Sequence, residues 1–142
     1  MDFEKQIDII KADFEKSRRL LRAIGDETRQ AVIITLMSAG CEGMRVGEIT
    51  SRTHLSRPAV SHHLKILLDA GLVDVWHEGT MNFYTGNFGT EFQHLCDLVQ
   101  HIQDFRTAVT ESFGSDSCFS IKQDVPPNEI NAGSGGQKGC TK

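Results

Sequence analysis

The chain has 142 residues, a formal net charge of −4 and a hydrophobic content of 39%. This length is typical of a single domain, and this hydrophobic content allows a packed core, so wholesale disorder is excluded. The charged, periodic N-terminus is unlike a signal peptide and no apolar run approaches the roughly 18 residues of a membrane span, so a cytoplasmic protein is predicted.

The first predicted helix carries a narrow stripe in which only one member is polar. Its positions alternate in steps of four and three residues: Phe3, Ile7, Ile10, Phe14, Ser17, Leu21 and Ile24. Such a stripe is typical of a long helix that packs against a partner helix. Gly25 ends the helix, and Asp26 is predicted to be the N-cap of a second helix with Val32, Ile33, Leu36 and Met37 on its apolar side.

Two further helices and a hairpin follow. Residues 46–53 form a short third helix, and Ser56 is the predicted N-cap of the fourth, which spans Arg57 to Leu68 with Val60, Leu64, Leu67 and Leu68 in the core. After Gly71 the apolar period changes from about 3.6 to 2, which predicts one strand near residues 72–76 and a second near 81–84. His77 to Thr80 is the predicted turn, with Gly79 free to take a positive φ.

The C-terminal part is predicted as one more helix and a tail. A fifth helix spans about Thr90 to Phe113, and residues 114–142, rich in Gly, Ser, Asn and Pro, are expected to form a flexible tail. The order of helices and strands predicts a winged helix-turn-helix fold over residues 1–113, mainly α with a small β-hairpin wing. A generic small α+β domain is the alternative.

Three segments resemble the ArsR/SmtB family of metal- and stress-responsive repressors. Residues 21–29 (LRAIGDETR) resemble its "GDxTR" segment, and residues 70–73 (AGLV) resemble the start of its wing. Residues 55–65 (LSRPAVSHHLK) resemble its recognition helix, whose S-x-H-L-x-x-L pattern falls here on Ser61, His63, Leu64 and Leu67. The resemblance implies a homodimer whose dimer layer is formed by the first and last helices. The alternative is that both apolar stripes close the core of a monomer.

A recognition helix places its N-terminal residues in the major groove while neighbouring elements contact phosphates. The predicted DNA-binding residues are Ser56, Arg57, Ala59, Ser61, His62, Lys65, His77 and Thr80. Arg57 is suited to a bidentate contact with guanine and Ala59 to a thymine methyl group. His63 is expected to make a structural hydrogen bond instead. For a two-fold dimer, the expected partner is a double-stranded operator that forms an imperfect inverted repeat.

Residues 45–82 contain four cations and four carboxylates, so the reading region is formally neutral. The wing tip is also unusual for the family, because His77-Glu78-Gly79-Thr80 carries no Lys or Arg. A shallow salt dependence of DNA binding is therefore predicted, since few phosphate contacts release few counterions.

No cofactor is assigned with certainty, and a transition metal ion such as zinc is the candidate. The family's thiolate site on the third helix is absent, because Arg45, Val46, Gly47 and Glu48 occupy its place. The last helix instead carries His94, Asp97, His101 and Asp104, which are reasonable ligands for Zn²⁺ or Ni²⁺. Their 3-4-3 spacing differs from the family's zinc motif, and a polar rim along a dimer helix is the alternative.

The four cysteines are Cys41, Cys96, Cys118 and Cys140, and they are expected as reduced thiols. A thiol switch that joins Cys41 with Cys96 or Cys118 is a second hypothesis for the effector, with inert thiols as its alternative. A small organic molecule is the third hypothesis for the effector, and the absence of any effector is the fourth.

The sequence thus predicts a dimeric DNA-binding transcriptional repressor that is released from its operator by a metal, a thiol-reactive compound or a small molecule. The alternative function is a winged-helix protein-interaction module without specific DNA binding. An enzyme is not expected, because no Gly-rich phosphate loop, nucleophile triad or paired-carboxylate pocket is recognisable.

Overall fold

A computed structural model of the chain describes residues 2–114. They form five α-helices, a short 3₁₀ helix at Gly40–Glu42, and two strands: α1 Phe3–Ile24, α2 Glu27–Ala39, α3 Val46–Thr53, α4 Arg57–Asp69, β1 Val73–Glu78, β2 Met81–Gly86 and α5 Thr90–Phe113. The predicted winged helix-turn-helix fold is confirmed. No helix in the described range is both long and apolar enough to cross a membrane. The predicted tail lies outside the described residues.

Side-chain caps start α2 and α4 where they were predicted. The Asp26 carboxylate accepts a hydrogen bond from the Arg29 N–H at 2.9 Å, and the Ser56 hydroxyl oxygen accepts one from the Ala59 N–H at 3.3 Å. Each cap satisfies a backbone donor that has no partner within its helix. At the other end of α4, Gly71 takes a φ of 74°, a left-handed conformation that glycine adopts without strain.

The wing is an antiparallel hairpin with a tighter turn than the sequence predicted. His77 pairs with Asn82 and Glu78 pairs with Met81, so both residues belong to β1 and not to the turn. Only Gly79 and Thr80 remain in the loop, and Gly79 has the predicted positive φ of 62°. The prediction of a four-residue turn was therefore wrong. A two-residue loop that begins with glycine can reverse the chain, so the two strands stay paired up to Glu78 and Met81.

The core lies between α2, α3, α4 and the C-terminal half of α1. Its fully enclosed side chains include Leu20, Val32, Leu36, Ile49, Val60, Leu64, Leu67 and Leu72. Two predicted core positions differ: Met37 is 58% exposed and Leu68 is only half-buried. Backbone hydrogen bonds between Met44 and Tyr84, 2.8 Å in both directions, attach the segment before α3 to the wing.

α1 and α5 pack against each other to form a two-helix layer. The face that α1 buries carries Asp13, Ser17, Leu20 and Ala23, of which only Ser17 belongs to the predicted stripe. Within that stripe Ile7 and Phe14 are 41% and 47% exposed, whereas Leu21 and Ile24 are partly buried against the core. The C-terminal end of the stripe therefore contributes to the core of the protomer, and Ile7 and Phe14 remain partly exposed. Asp13 is buried beneath α5, where its Oδ2 lies 2.5 Å from His101 Nδ1.

Arg29 joins the end of α1 to α2 and α4. Its guanidinium donates to the Ala23 carbonyl at 2.7 Å and to the Arg22 carbonyl at 3.2 Å, and its Nη1 lies 3.5 Å from His63 Nδ1. These bonds satisfy carbonyls at the C-terminus of α1. His63 is half-buried beside Arg29, in agreement with its predicted structural role.

The cap at Asp26 makes the stability of this junction depend on pH. The pKa of Asp26 is held below its ordinary value of 3.8, chiefly because its carboxylate accepts the Arg29 backbone N–H. A lowered folded-state pKa contributes stability that is complete above the unfolded value and is lost as the pH falls through the folded value.

Asp26→Asn keeps the cap acceptor but does not ionise. The difference in the free energy of unfolding between the wild type and this variant is therefore expected to be constant above about pH 5 and to shift against the wild type below about pH 4. Urea denaturation from pH 7 to pH 2.5 measures it. A difference that does not change with pH contradicts the prediction.

Candidate nucleic-acid interface

The start of α3, the start of α4 and the tip of the wing meet around one concave surface. Its lining residues are Arg45, Val46, Gly47, Glu48, Arg57, Thr80 and Asn82. We call this the reading surface. The Arg57 guanidinium lies beside Gly47, where a Cβ atom would come within 3.8 Å of Nη2. Two arginines and one carboxylate therefore face the same concavity.

The predicted residues at the start of α4 differ in their exposure and in whether their side chains already form hydrogen bonds. Arg57 is exposed, and no carboxylate of residues 2–114 lies within 4.0 Å of its guanidinium. The Ser56 oxygen already caps the helix, and Ala59 is half-buried. Arg57 is thus the side chain at this end with the most unused hydrogen-bonding capacity.

The rest of α4 presents one polar face and one apolar face. Ser61, His62 and Lys65 are exposed on the outer side. Val60, Leu64 and Leu67 are at most 1% exposed on the opposite side. The helix is thereby held by its apolar face, which leaves the polar face available to a groove of DNA.

The two predicted wing residues are placed differently. Thr80 is exposed at the tip and lines the reading surface. His77 is exposed within β1, and its Nδ1 hydrogen-bonds to the Asn82 side chain across the hairpin. Trp76 stacks on Phe83 with ring centroids 5.6 Å apart, which stiffens the hairpin beneath both of them.

Five residues of the reading surface were not predicted as site residues, and two of them, Arg45 and Asn82, carry side-chain hydrogen-bond donors. Arg45 is the residue directly before α3, and a cation at the start of a helix-turn-helix was a usable signal. Asn82 offered no such signal. It reaches the surface only because the Met44–Tyr84 pairing places β2 beside the start of α3.

The proposed metal ligands of α5 do not converge within one chain. His101 pairs with Asp13, while Asp97 and Asp104 accept hydrogen bonds from Gln93 and Gln100, each at 2.9 Å. The nearest carboxylate oxygen to His94 Nδ1 belongs to Glu91, at 3.8 Å. Residues 2–114 contain no group of three or more such side chains that could hold a metal ion. These residues therefore do not fit a metal within a single protomer.

The two described cysteines are both exposed and reduced. Cys41 lies in the 3₁₀ helix after α2, where it lines a mainly apolar recess with Met37 and Phe88. Cys96 lies on α5. Cys118 and Cys140 fall outside the described residues, so a pairing that involves either of them is not addressed by the structure.

Sequence comparison connects this site to known regulators. The family model described as "Bacterial regulatory protein, arsR family" matches residues 26–75, which include α3, α4 and the start of the wing. An HTH-type transcriptional regulator of Methanocaldococcus jannaschii is 39% identical over 71 residues, covering 50% of this chain and 78% of that protein. The transcriptional activator HlyU of Vibrio cholerae is 34% identical, covering 58% and 73%, and the transcriptional repressor SdpR of Bacillus subtilis is 34% identical, covering 48% and 72%.

Comparison with solved structures also finds transcriptional regulators. The chain is similar to reduced HlyU of Vibrio cholerae, with a TM-score of 0.50 and 29% identity over 66% of this chain and 93% of the other. An ArsR-like transcriptional regulator from Rhodococcus sp. RHA1 shares the fold, with a TM-score of 0.54 and 22% identity over 72% and 96% of the two chains. With its helix-turn-helix segment matched in sequence and its fold matched in structure, this chain belongs to the ArsR family of helix-turn-helix transcriptional regulators.

Proposed function

We propose that the protein is a cytoplasmic, homodimeric repressor that binds a double-stranded operator, an imperfect inverted repeat, and is released from it by an effector. The observation that carries the proposal is the reading surface, where Arg45 and Arg57 face one concavity beside the wing tip. Donors on this surface and on the outer face of α4 suit base edges and phosphates.

Exposed apolar side chains on the two-helix layer support the homodimer. Val99 and Ile102 of α5 are 48% and 41% exposed, and Phe14 of α1 is 47% exposed. A second copy that packs its own α1 and α5 against these residues would remove them from water. The two reading surfaces would then face two half-sites about one helical turn apart.

Three kinds of effector remain in the proposal: a metal ion, a thiol-reactive compound and a small molecule. A metal at α5 would need donors from both protomers, because one chain does not gather them. His101 is the best-prepared donor, since the Asp13 carboxylate at Nδ1 leaves Nε2 available as a ligand. Operator binding with and without Zn²⁺, arsenite or an oxidant tests the metal ion and the thiol-reactive compound, and the small molecule is the remaining candidate if none of the three additives releases the DNA. His94→Ala/His101→Ala and Cys41→Ser/Cys96→Ser are the matched variants.

A gel-shift titration with the DNA upstream of the protein's own gene tests the proposal. A shifted complex is expected at low salt, and the slope of log K against log salt is expected to stay well below that of a protein with about ten phosphate contacts. Transcription from the same DNA should fall when the protein is added. No shift at low salt would instead support a protein-interaction module, and increased transcription would contradict the repressor assignment.

A further inference from the structure

The C-terminal half of α1 carries the densest group of cations in the described chain. Four positive side chains lie within seven residues, and all of them are exposed: Lys16, Arg18, Arg19 and Arg22. We call them the basic α1 surface. No carboxylate of residues 2–114 lies within 4.0 Å of any of these four charged groups. Their charges are therefore not neutralised by close ion pairs within the described part of the chain.

The basic α1 surface adjoins the C-terminal end of α4. Arg19 Nη1 donates to the Asp69 carbonyl at 3.3 Å. Arg19 and Arg22 also line a shallow concavity together with Ile66, Asp69 and Ala70 of the α4 end. The outer face of α4, which carries His62 and Lys65, therefore leads at its C-terminal end to the arginines of α1.

The reading region, residues 45–82, has no formal net positive charge with which to attract phosphates. Residues 45–82 hold four cations and four carboxylates, and Glu48 stands on the reading surface itself. Attraction to phosphates requires cations that are not matched by nearby carboxylates. Glu15 and Glu91 line a concavity together with the four cations of the basic α1 surface, but they form no ion pair with them within 4.0 Å. The cations outnumber these carboxylates, so the surface provides positive charge outside the helix-turn-helix.

We propose that the basic α1 surface binds the phosphate backbone of the operator beyond the C-terminal end of α4. A helix of 13 residues is about 20 Å long, whereas the major groove is about 12 Å wide. When the N-terminal end of α4 lies in the groove, its C-terminal end reaches the bounding backbone. Arg19 and Arg22 then contact phosphates, which position the protein without reading sequence.

This inference rests on the proposed operator binding, and Arg19→Gln/Arg22→Gln tests it. The control, Lys5→Gln/Lys11→Gln, removes the same charge from the N-terminal half of the same helix, where both lysines are also exposed. Affinity is measured between 50 and 300 mM salt for the operator and for an unrelated duplex. The arginine variant is expected to flatten the log K against log salt slope by about 3.6, because the proposed dimer loses two phosphate contacts in each protomer and four in all. The control should leave the slope unchanged.

Because phosphate contacts carry no sequence information, the arginine variant should weaken binding to both duplexes by the same factor. The preference for the operator should therefore stay within about twofold of the wild type. Two results would overturn the assignment of these arginines while the proposed function stands. In the first, the wild type binds and both variants show the wild-type slope. In the second, both variants reduce the slope by the same amount. If the wild type binds neither duplex at 50 mM salt, the proposed function fails first. Thermal melting shows that both variants are folded.

Discussion

Replacing Val99 and Ile102 of α5 by glutamate is expected to convert the proposed dimer into folded monomers and to lower operator affinity by about 10²- to 10⁴-fold. The change in affinity follows from the loss of bivalency, because each monomer then engages one half-site alone. Both side chains are more than 40% exposed in the protomer, so carboxylates there remain hydrated in the monomer. In the dimer the same carboxylates would be buried in an apolar contact without partners, which is strongly unfavourable.

The matched control is Ile34→Glu/Met37→Glu. These side chains are 65% and 58% exposed, but they lie on α2, outside the layer of α1 and α5. Sedimentation velocity measures the oligomeric state, and the melting temperature reports folding. The α2 variant should remain dimeric and bind the operator as the wild type does. A dimer that survives the α5 substitutions, or that is lost equally in both variants, contradicts the proposed interface.

The local signals in the sequence predicted most of the elements of this fold. The caps at Asp26 and Ser56 and the glycine at position 71 act within a few residues of the helix ends they define. The change of apolar period after Gly71 likewise marked the wing. Such signals need no knowledge of distant packing, which explains why α2 and α4 begin where they were predicted.

Contacts between distant segments could not be predicted in this way. The Asp13–His101 pair joins residues 88 positions apart, and neither residue has a neighbour in sequence that indicates the other. On α1, periodicity located the apolar positions but could not tell which of them face the protomer's own core. Ile7 and Phe14 of the predicted stripe are 41% and 47% exposed, whereas Ser17 of the same stripe and Asp13 outside it are buried.

The reading surface likewise combines positions that local sequence signals predict with positions that depend on contacts between distant segments. The exposed position of Arg57 on this surface was predictable, as were those of Ser61 and Lys65 on the outer face of α4, because all three belong to one capped helix. Arg45 and Asn82 join the surface through the pairing of Met44 with Tyr84, which is a tertiary contact. Sequence patterns thus predict the side chains on one element more readily than a surface made by three.

Arg57→Ala is expected to weaken operator binding by about 30- to 10⁴-fold, because the proposed dimer loses one bidentate contact of about 1–3 kcal/mol in each protomer. The guanidinium is exposed, lies beside Gly47 and has no carboxylate of residues 2–114 within 4.0 Å, so its donors are available to a base edge. Binding to an unrelated duplex should change much less, since only one positive charge per protomer is removed. Discrimination between operator and unrelated DNA should therefore fall.

Two further variants separate hydrogen-bond geometry from charge. Arg57→Lys keeps the positive charge but lacks the planar fork, so it is expected to retain the salt dependence of the wild type and still lose discrimination. Arg52→Ala removes the α3 arginine whose Nη1 donates to Ser38 of α2 at 3.1 Å, and discrimination should stay close to the wild-type value. If Arg57→Lys discriminates as well as the wild type, Arg57 contributes charge and not base reading. Specificity would then have to come from other groups, among which Ser61, His62 and Asn82 are exposed candidates.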